Sequence, residues 1–359
     1  MSYFWYLKAK CFGFGYKITR RIFITVHSVL CKISKKPYDL ESTIELGDKS
    51  LHGLDAVAGS FLFYFPQPPS PKTHVHTLSF SSPLVVSSFK DDLTILNIWN
   101  RMGIGGITLK TLLKAPRTGN PKPRICEVKT PEGMGLINAM GLPGKGLEKG
   151  LAQLLEHPLK NTKKPLGFSI GGNSPQDYID TIKTLLSITS TWSLAQPYIE
   201  LNISCPNTPE GQDLSKNPNL LHEVLNTVQT FCSWVISIKL SPDQSNDSLK
   251  QYAAIIKSHP NCFINIGNTQ YKRCDQIGLP AHILALPGGG YSGPALFKRT
   301  LEMTQLLNSY GVPLMATGGI STADQVNQLQ KSGAVLFGLA TILVQNPYKI
   351  SEIHQGLVY

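Results

Sequence analysis

The chain is predicted to fold as a (β/α)8 barrel, an α/β architecture, behind a helical N-terminal extension. Eight β-rich apolar runs carry the prediction, at 83–87, 104–109, 166–170, 198–203, 234–240, 262–266, 313–317 and 334–338. Between them lie helical patterns at 92–102, 146–157, 176–188, 218–231, 247–258, 296–310 and 322–332. Strands alternating with helices build parallel sheets, and eight such units suit a closed barrel. The second observation is that no Gly-x-Gly-x-x-Gly follows the first run, as a dinucleotide-binding open sheet asks. The third is that polar residues gather where the apolar runs end, the face on which a barrel carries its chemistry.

Two domains follow: a basic extension and linker over 1–76, and the barrel over 77–359. The net charge of +11 is concentrated at the start, where residues 1–36 hold eight Lys or Arg and no Asp or Glu, leaving +3 elsewhere. That placement argues against a basic face on the barrel, and so against nucleic acid. Ile18, Ile22, Val26, Val29 and Ile33 recur at helical spacing, widened by Phe23 and Leu30. A basic amphipathic helix either lies on a membrane surface or docks its stripe on the protein body. The uncharged stretch Ile22–Cys31 is too short to span a bilayer. Beyond residue 37 the chain reads as irregular, and Pro66, Pro68, Pro69 and Pro71 mark a linker. The seven cysteines form no Cys-x-x-Cys and no zinc spacing, and His74 and His76 lack further ligands nearby. No metal is expected. A reduced, cytoplasmic setting is expected, with attachment to the cytoplasmic face of a membrane left open.

The strand ends supply the candidate site. Ser87 and Ser88 end the first strand, Lys110 and Thr111 the second, and Ser169 the third. The fourth runs into Asn202-Ile-Ser-Cys205-Pro-Asn207, where Pro206 stops the strand and leaves a thiol among amides. Cys205 suits proton transfer or nucleophilic attack there, or is a small buried cysteine beside a turn. Lys239 ends the fifth strand, Asn265 and Asn268 follow the sixth, Thr317-Gly318-Gly319 the seventh, and Gly338 the eighth. Lysines inside apolar strand ends need a partner, and an anionic ligand is one. Glycines after the last two strands, with Ser321-Thr322 opening a helix, suit a phosphate held on backbone N–H groups.

Six segments together resemble the successive motifs of the dihydroorotate dehydrogenase family. They are Asn202-Ile-Ser-Cys205-Pro-Asn207, Gly119-Asn120-Pro-Lys-Pro-Arg124, Ile137-Asn138-Ala-Met-Gly-Leu-Pro143, Lys239-Leu-Ser-Pro242, Gly289-Gly290-Tyr-Ser292-Gly293 and Thr317-Gly-Gly-Ile320. They fall in the family's order over roughly 77–350. The resemblance implies FMN on a (β/α)8 barrel and oxidation of dihydroorotate to orotate in pyrimidine synthesis. It implies Cys205 as the base for the C5 proton, with the loop after it acting as a lid and Lys110 near flavin and substrate. Lys239 would face the N1–C2=O edge of the flavin. Asn138, Asn202, Asn207 and Asn268 would hold the substrate. Ser87, Ser88, Thr111, Ser169 and Asn202 are expected around the cofactor, with Gly290, Gly318, Gly319 and Gly338 along its phosphate and ribityl chain.

The subclass signals divide. Cys205 and Lys110 resemble class 1, whose members use fumarate or an NAD-linked subunit. The basic extension resembles class 2, whose members sit on membranes, reduce quinone and carry serine at the Cys205 position; Lys90 lies one residue out of register with their first-strand lysine. The expected partners are therefore dihydroorotate and orotate, with fumarate, a quinone or an NAD-linked subunit as acceptor and a homodimer left open. Phe89 stands where the family has glycine and Leu339 where it has Thr or Ser. The rival readings are a tRNA dihydrouridine synthase, a catalytically impaired flavin-binding relative and a membrane-tethered scaffold.

Overall fold

The computed structural model describes residues 3–66, 72–203, 213–280 and 282–358. Two helices come first, α1 (Tyr3–Ile33) and α2 (Leu40–Leu62). A hairpin follows, β1 (Thr73–Val75) and β2 (Leu78–Phe80). The barrel opens with β3 (Leu84–Val86), α3 (Leu93–Arg101) and β4 (Gly106–Leu112). Next come β5 (Ile125–Thr130), β6 (Gly133–Asn138), α4 (Leu147–Leu155), β7 (Leu166–Ile170), α5 (Pro175–Thr189) and β8 (Pro197–Asn202). The middle holds α6 (Asp213–Lys216), α7 (Pro218–Gln229), β9 (Val235–Leu240), α8 (Asn246–Lys257), β10 (Cys262–Ile266), β11 (Gln270–Arg273) and β12 (Gly288–Ser292). The chain finishes with α9 (Phe297–Asn308), β13 (Leu314–Thr317), α10 (Ala323–Lys331), β14 (Leu336–Leu339), α11 (Thr341–Gln345) and α12 (Lys349–Gln355).

Strands β3, β4, β7, β8, β9, β10, β13 and β14 close a parallel barrel, and all eight coincide with the predicted runs. Their side chains alternate between two environments. Ile199 and Leu201 of β8, and Ile236, Ile238 and Leu240 of β9, pack in the core between strands and helices. The alternate residues point into the barrel, as the two-residue period demands. At its N-terminal end these are apolar: Val85, Tyr198, Phe263, Met315 and Leu336 pack with Val75, Leu78 and Phe80 of the hairpin, which plugs the bottom. The packing there is close enough to require glycine. A Cβ on Gly167 would stand 2.3 Å from the Tyr198 ring. Higher up, the inward residues turn polar, and the site begins.

Two parts of the fold depart from the expectation. Residues 40–62 are helical where an irregular chain was expected. Asp39 caps α2 by accepting from Glu41 N at 3.0 Å, and α2 is tied to the barrel side by ion pairs: Asp48 with Lys90, Asp55 with Arg101, and Glu41 with Arg124. Three glycines and four Ser or Thr residues across 40–62 mute its local helical signal, so tertiary contacts stabilise it. The other departure is a four-stranded antiparallel sheet, β11-β12-β6-β5, inserted after β4 and after β10. Both insertions follow barrel strands, so the sheet stands on the C-terminal face beside the site.

The amphipathic stripe of α1 does not dock on the protein body. Ile18, Ile22, Val26, Val29, Leu30 and Ile33 face outward, with Ile33 74% exposed. The inner face is instead Ala9, Phe12, Tyr16, Thr19, Arg20, Phe23 and Ile24, of which Ala9 is fully buried and the others line a cavity below the helix or pack at its edge. No helix among the described residues is long and apolar enough to cross a membrane.

Candidate active site

The polar upper layer of the barrel holds two hydrogen-bonded groups of side chains. Lys239 Nζ donates to Ser88 Oγ at 3.1 Å, and Ser88 Oγ donates to Glu200 Oε1 at 2.5 Å. Asn265 Nδ2 donates to Glu200 Oε2 at 2.7 Å, and Thr317 Oγ1 donates to Asn265 Oδ1 at 2.7 Å. On the other side Asn202 Nδ2 donates to Thr111 Oγ1 at 2.8 Å, while the Thr111 and Ser169 hydroxyls share a bond of 3.0 Å. Tyr178 fixes the end of β8 by donating to the Asn202 carbonyl at 3.0 Å. All of these side chains except Tyr178 come from inward positions of the barrel strands or their ends.

Register explains why Lys110 and Thr111 both reach the mouth. Pairing of β4 with β7 passes from Leu109↔Phe168 to Leu112↔Ile170, so two residues oppose Ser169 alone. Such a bulge turns a neighbouring side chain toward the same face. Thr111 joins the second of these groups, and Lys110 extends along the rim to Asp91, 3.2 Å away. The partner that Lys110 was expected to need is, among the described residues, a half-exposed carboxylate at the edge of a cleft.

A second cleft opens beside Lys239, with about 640 Å³ of empty space when its open mouth is counted. Its walls include Ser87, Phe89, Asn268, Ser292, Gly318, Gly319, Gly338 and Thr341. Gly319 has φ +73, and a Cβ there would lie 2.4 Å from Phe297 N, so only glycine lets the backbone line the cleft at this point. The two amides just before the helix that follows these glycines are already taken. Ser321 N and Thr322 N both donate to Gln325 Oε1, in the capping box of α10. The N–H groups suited to a phosphate are thus those of the glycine turn and the start of α11, and not of Ser321-Thr322.

The two substituted positions adopt defined places. Phe89 stacks on Trp99 with ring centroids 5.7 Å apart and planes at 26°, at the cleft's edge. Leu339 packs outward in the core, and Thr341 brings the hydroxyl to the cleft, donating to Ser292 Oγ at 3.0 Å. Gly290 lies away from the cleft, paired with Asn138 across β12 and β6, where Asn138 Nδ2 donates to its carbonyl at 3.2 Å. Cys205 and Asn207 lie outside the described residues; the described chain reaches Ile203, one residue past the end of β8. Glu200 was not singled out from sequence. A lone carboxylate two residues before Asn202 in a buried strand was the signal for it.

Beneath α1 and α2 lies a larger, mainly apolar cavity, with about 1260 Å³ of empty space when its open mouth is counted. Phe12, Tyr16, Leu51, Leu54, Trp99 and Tyr348 line it, with Arg20 and Lys90 as its cations. Arg20 Nη2 is buried there without a hydrogen-bond partner among the described residues, while Nη1 pairs with Glu127. Trp99 lines this cavity and its stacking partner Phe89 lines the smaller cleft, so that one aromatic pair stands between the two spaces.

The family model for dihydroorotate dehydrogenase matches residues 70–359. Curated relatives include the protein named dihydroorotate dehydrogenase B (NAD(+)), catalytic subunit, of Bacillus mycoides. It is 29% identical over 284 residues, covering 78% of this chain and 88% of the relative. The protein of the same name from Caldicellulosiruptor bescii is 28% identical over 255 residues, covering 70% and 80%. Among solved structures, the DHODH of Eimeria tenella in complex with ferulenol superposes with a TM-score of 0.69 at 20% identity, covering 87% of this chain and 90% of that one, and so shares the fold. With the match extending over the whole barrel, the chain belongs to the dihydroorotate dehydrogenase family, FMN-dependent oxidoreductases acting on a CH–CH bond.

Proposed function

We propose that the barrel mouth oxidises dihydroorotate to orotate with FMN seated in the cleft beside Lys239. The observation that carries this is the buried Lys239 ammonium at the base of a glycine-walled cleft, an arrangement made for a phosphorylated group that gains negative charge. The residues fit FMN in a second respect. Ser87 Oγ is buried on the cleft wall without a hydrogen-bond partner among the described residues, and a bound cofactor would supply one. Gly318, Gly319 and Thr341 would hold the phosphate, and Lys239 the ring edge. FMN, when bound, supplies the hydride acceptor for C6 of the substrate.

The chain's own groups do the rest. Cys205, three residues beyond Asn202 in the chain, removes the C5 proton. Asn138, Asn202, Asn207 and Asn268 orient the planar ring, and Lys110 draws the substrate's negative charge to the rim. The Asn202 carbonyl oxygen Oδ1, buried without a partner among the described residues, is an acceptor suited to a ring N–H. The purified protein should be yellow, and anaerobic dihydroorotate should bleach it. A protein that takes up FMN and is not bleached would end this reading in favour of an impaired relative.

The acceptor is a quinone. The apolar cavity beneath α1 and α2 fits a lipid-like ring, and its buried Arg20 offers an N–H to a carbonyl oxygen. The curated relatives' names point instead to an NAD-linked partner, so reoxidation of the bleached protein by quinone, fumarate and NAD+ in parallel decides. Faster reoxidation by NAD+ or fumarate overturns the quinone. The exposed stripe of α1, with its surrounding Lys and Arg, lies on an anionic membrane surface. Replacing Ile22 and Val26 by Glu should abolish co-sedimentation with anionic liposomes; undiminished binding refutes the contact.

A further inference from the structure

Glu200 takes no part in the chemistry above, yet it is the one fully buried carboxylate among the described residues. It stands on β8 between Tyr198 in the apolar floor and Asn202 at the mouth. The hydrogen-bond directions around it are forced. Lysine can only donate, so Ser88 Oγ accepts from Lys239 and must give its single proton to Glu200 Oε1. Thr317 donates to the Asn265 carbonyl, which turns the Asn265 amide N–H toward Glu200 Oε2. Both carboxylate oxygens therefore accept, as the ionised form does. A buried carboxylate is destabilising unless a cation and full hydrogen bonding offset it. Lys239 is that cation, one hydroxyl away.

We infer that Glu200 is a positioning residue: through Ser88 it holds the Lys239 ammonium in place, and its charge sets how strongly that ammonium favours the reduced cofactor. The inference rests on the reading that FMN lies against Lys239. Two variants separate the charge from the tether. Glu200→Gln removes the negative charge and leaves Lys239 less offset, so reduction becomes easier. Ser88→Ala keeps both charges but releases the ammonium, so reduction becomes harder.

The test is the flavin midpoint potential of the FMN-loaded variants, read by spectroelectrochemistry. Each variant should change the oxidised-to-reduced ratio at fixed potential by about tenfold, which is about 30 mV for a two-electron couple. The shift should be positive for Glu200→Gln and negative for Ser88→Ala, with Glu200→Asp nearer the wild type. Opposite signs support the inference, and a variant that binds FMN at the wild-type potential overturns it. If Glu200→Gln does not fold, Ser88→Ala decides by the same rule. A wild-type protein that takes up no FMN overturns the underlying reading and this inference with it. Bound FMN with unshifted potentials overturns this inference alone.

Discussion

Cys205→Ala should keep its yellow colour and lose most of its reduction by dihydroorotate. Removing a general base from a carbon acid typically costs about 10²–10⁴ in rate, which stopped-flow bleaching under anaerobic conditions reads directly. Among the described residues the cofactor cleft is walled by Ser87, Gly318, Gly319, Gly338 and Thr341, at the ends of β3, β13 and β14 and the start of α11. FMN content should therefore match the wild type, and the loss should fall on the proton-transfer step. Cys205→Ser, whose hydroxyl is a poorer base at neutral pH, should recover only part of the rate. A Cys205→Ala protein that bleaches at the wild-type rate would assign the proton to another group and remove the main argument for a class 1 style of chemistry.

Lys239→Met should damage both the cofactor site and the fold. Its ammonium is the cation that faces the cleft floor, and losing such a preorganised charge costs about 10²–10³ in the rate of reduction. The stability effect has a separate origin. Glu200 would be left fully buried without its cation, and removing the cation of a contacting pair costs about 3–5 kcal/mol. Ser88 stands between the two charges here, so about 2–3 kcal/mol is the expected loss by denaturant unfolding of the FMN-free protein. Lys239→Met combined with Glu200→Gln should regain most of that stability while the reduction rate stays low. Lys239→Met as stable as the wild type would show that Glu200 is balanced by something else.

Much of the site was legible because a parallel barrel imposes a simple rule. The last polar residue of each apolar run faces the mouth, so Ser87, Ser169, Asn202 and Lys239 could be placed from the runs alone. The rule fails where the backbone breaks its period. The β4 bulge turns Lys110 and Thr111 to the same face, and no local pattern in Leu-Lys-Thr-Leu announces it. Glycines are likewise ambiguous: Gly290 reads like Gly318 but lies in an antiparallel strand, pairing with Asn138, while Gly318 turns beneath the cleft. The partner of Lys110 was hidden too, because Asp91 sits on the preceding loop and meets it only once β3 and β4 are adjacent.

The sequence by itself determined the barrel, its eight strands, the family and the polar character of the mouth, since periodicity and strand ends are local properties of the chain. Tertiary structure alone decided which groups share charge and which helix face is left uncovered. Glu200 and Lys239 are 39 residues apart and meet through Ser88, from a third strand's end, only when the barrel closes. The α1 stripe was equally compatible with docking or exposure until Phe12, Tyr16 and Arg20 were seen to take the inner side. Amphipathicity states that two faces differ; what packs against each is set by distant segments, here α2 and the end of the barrel.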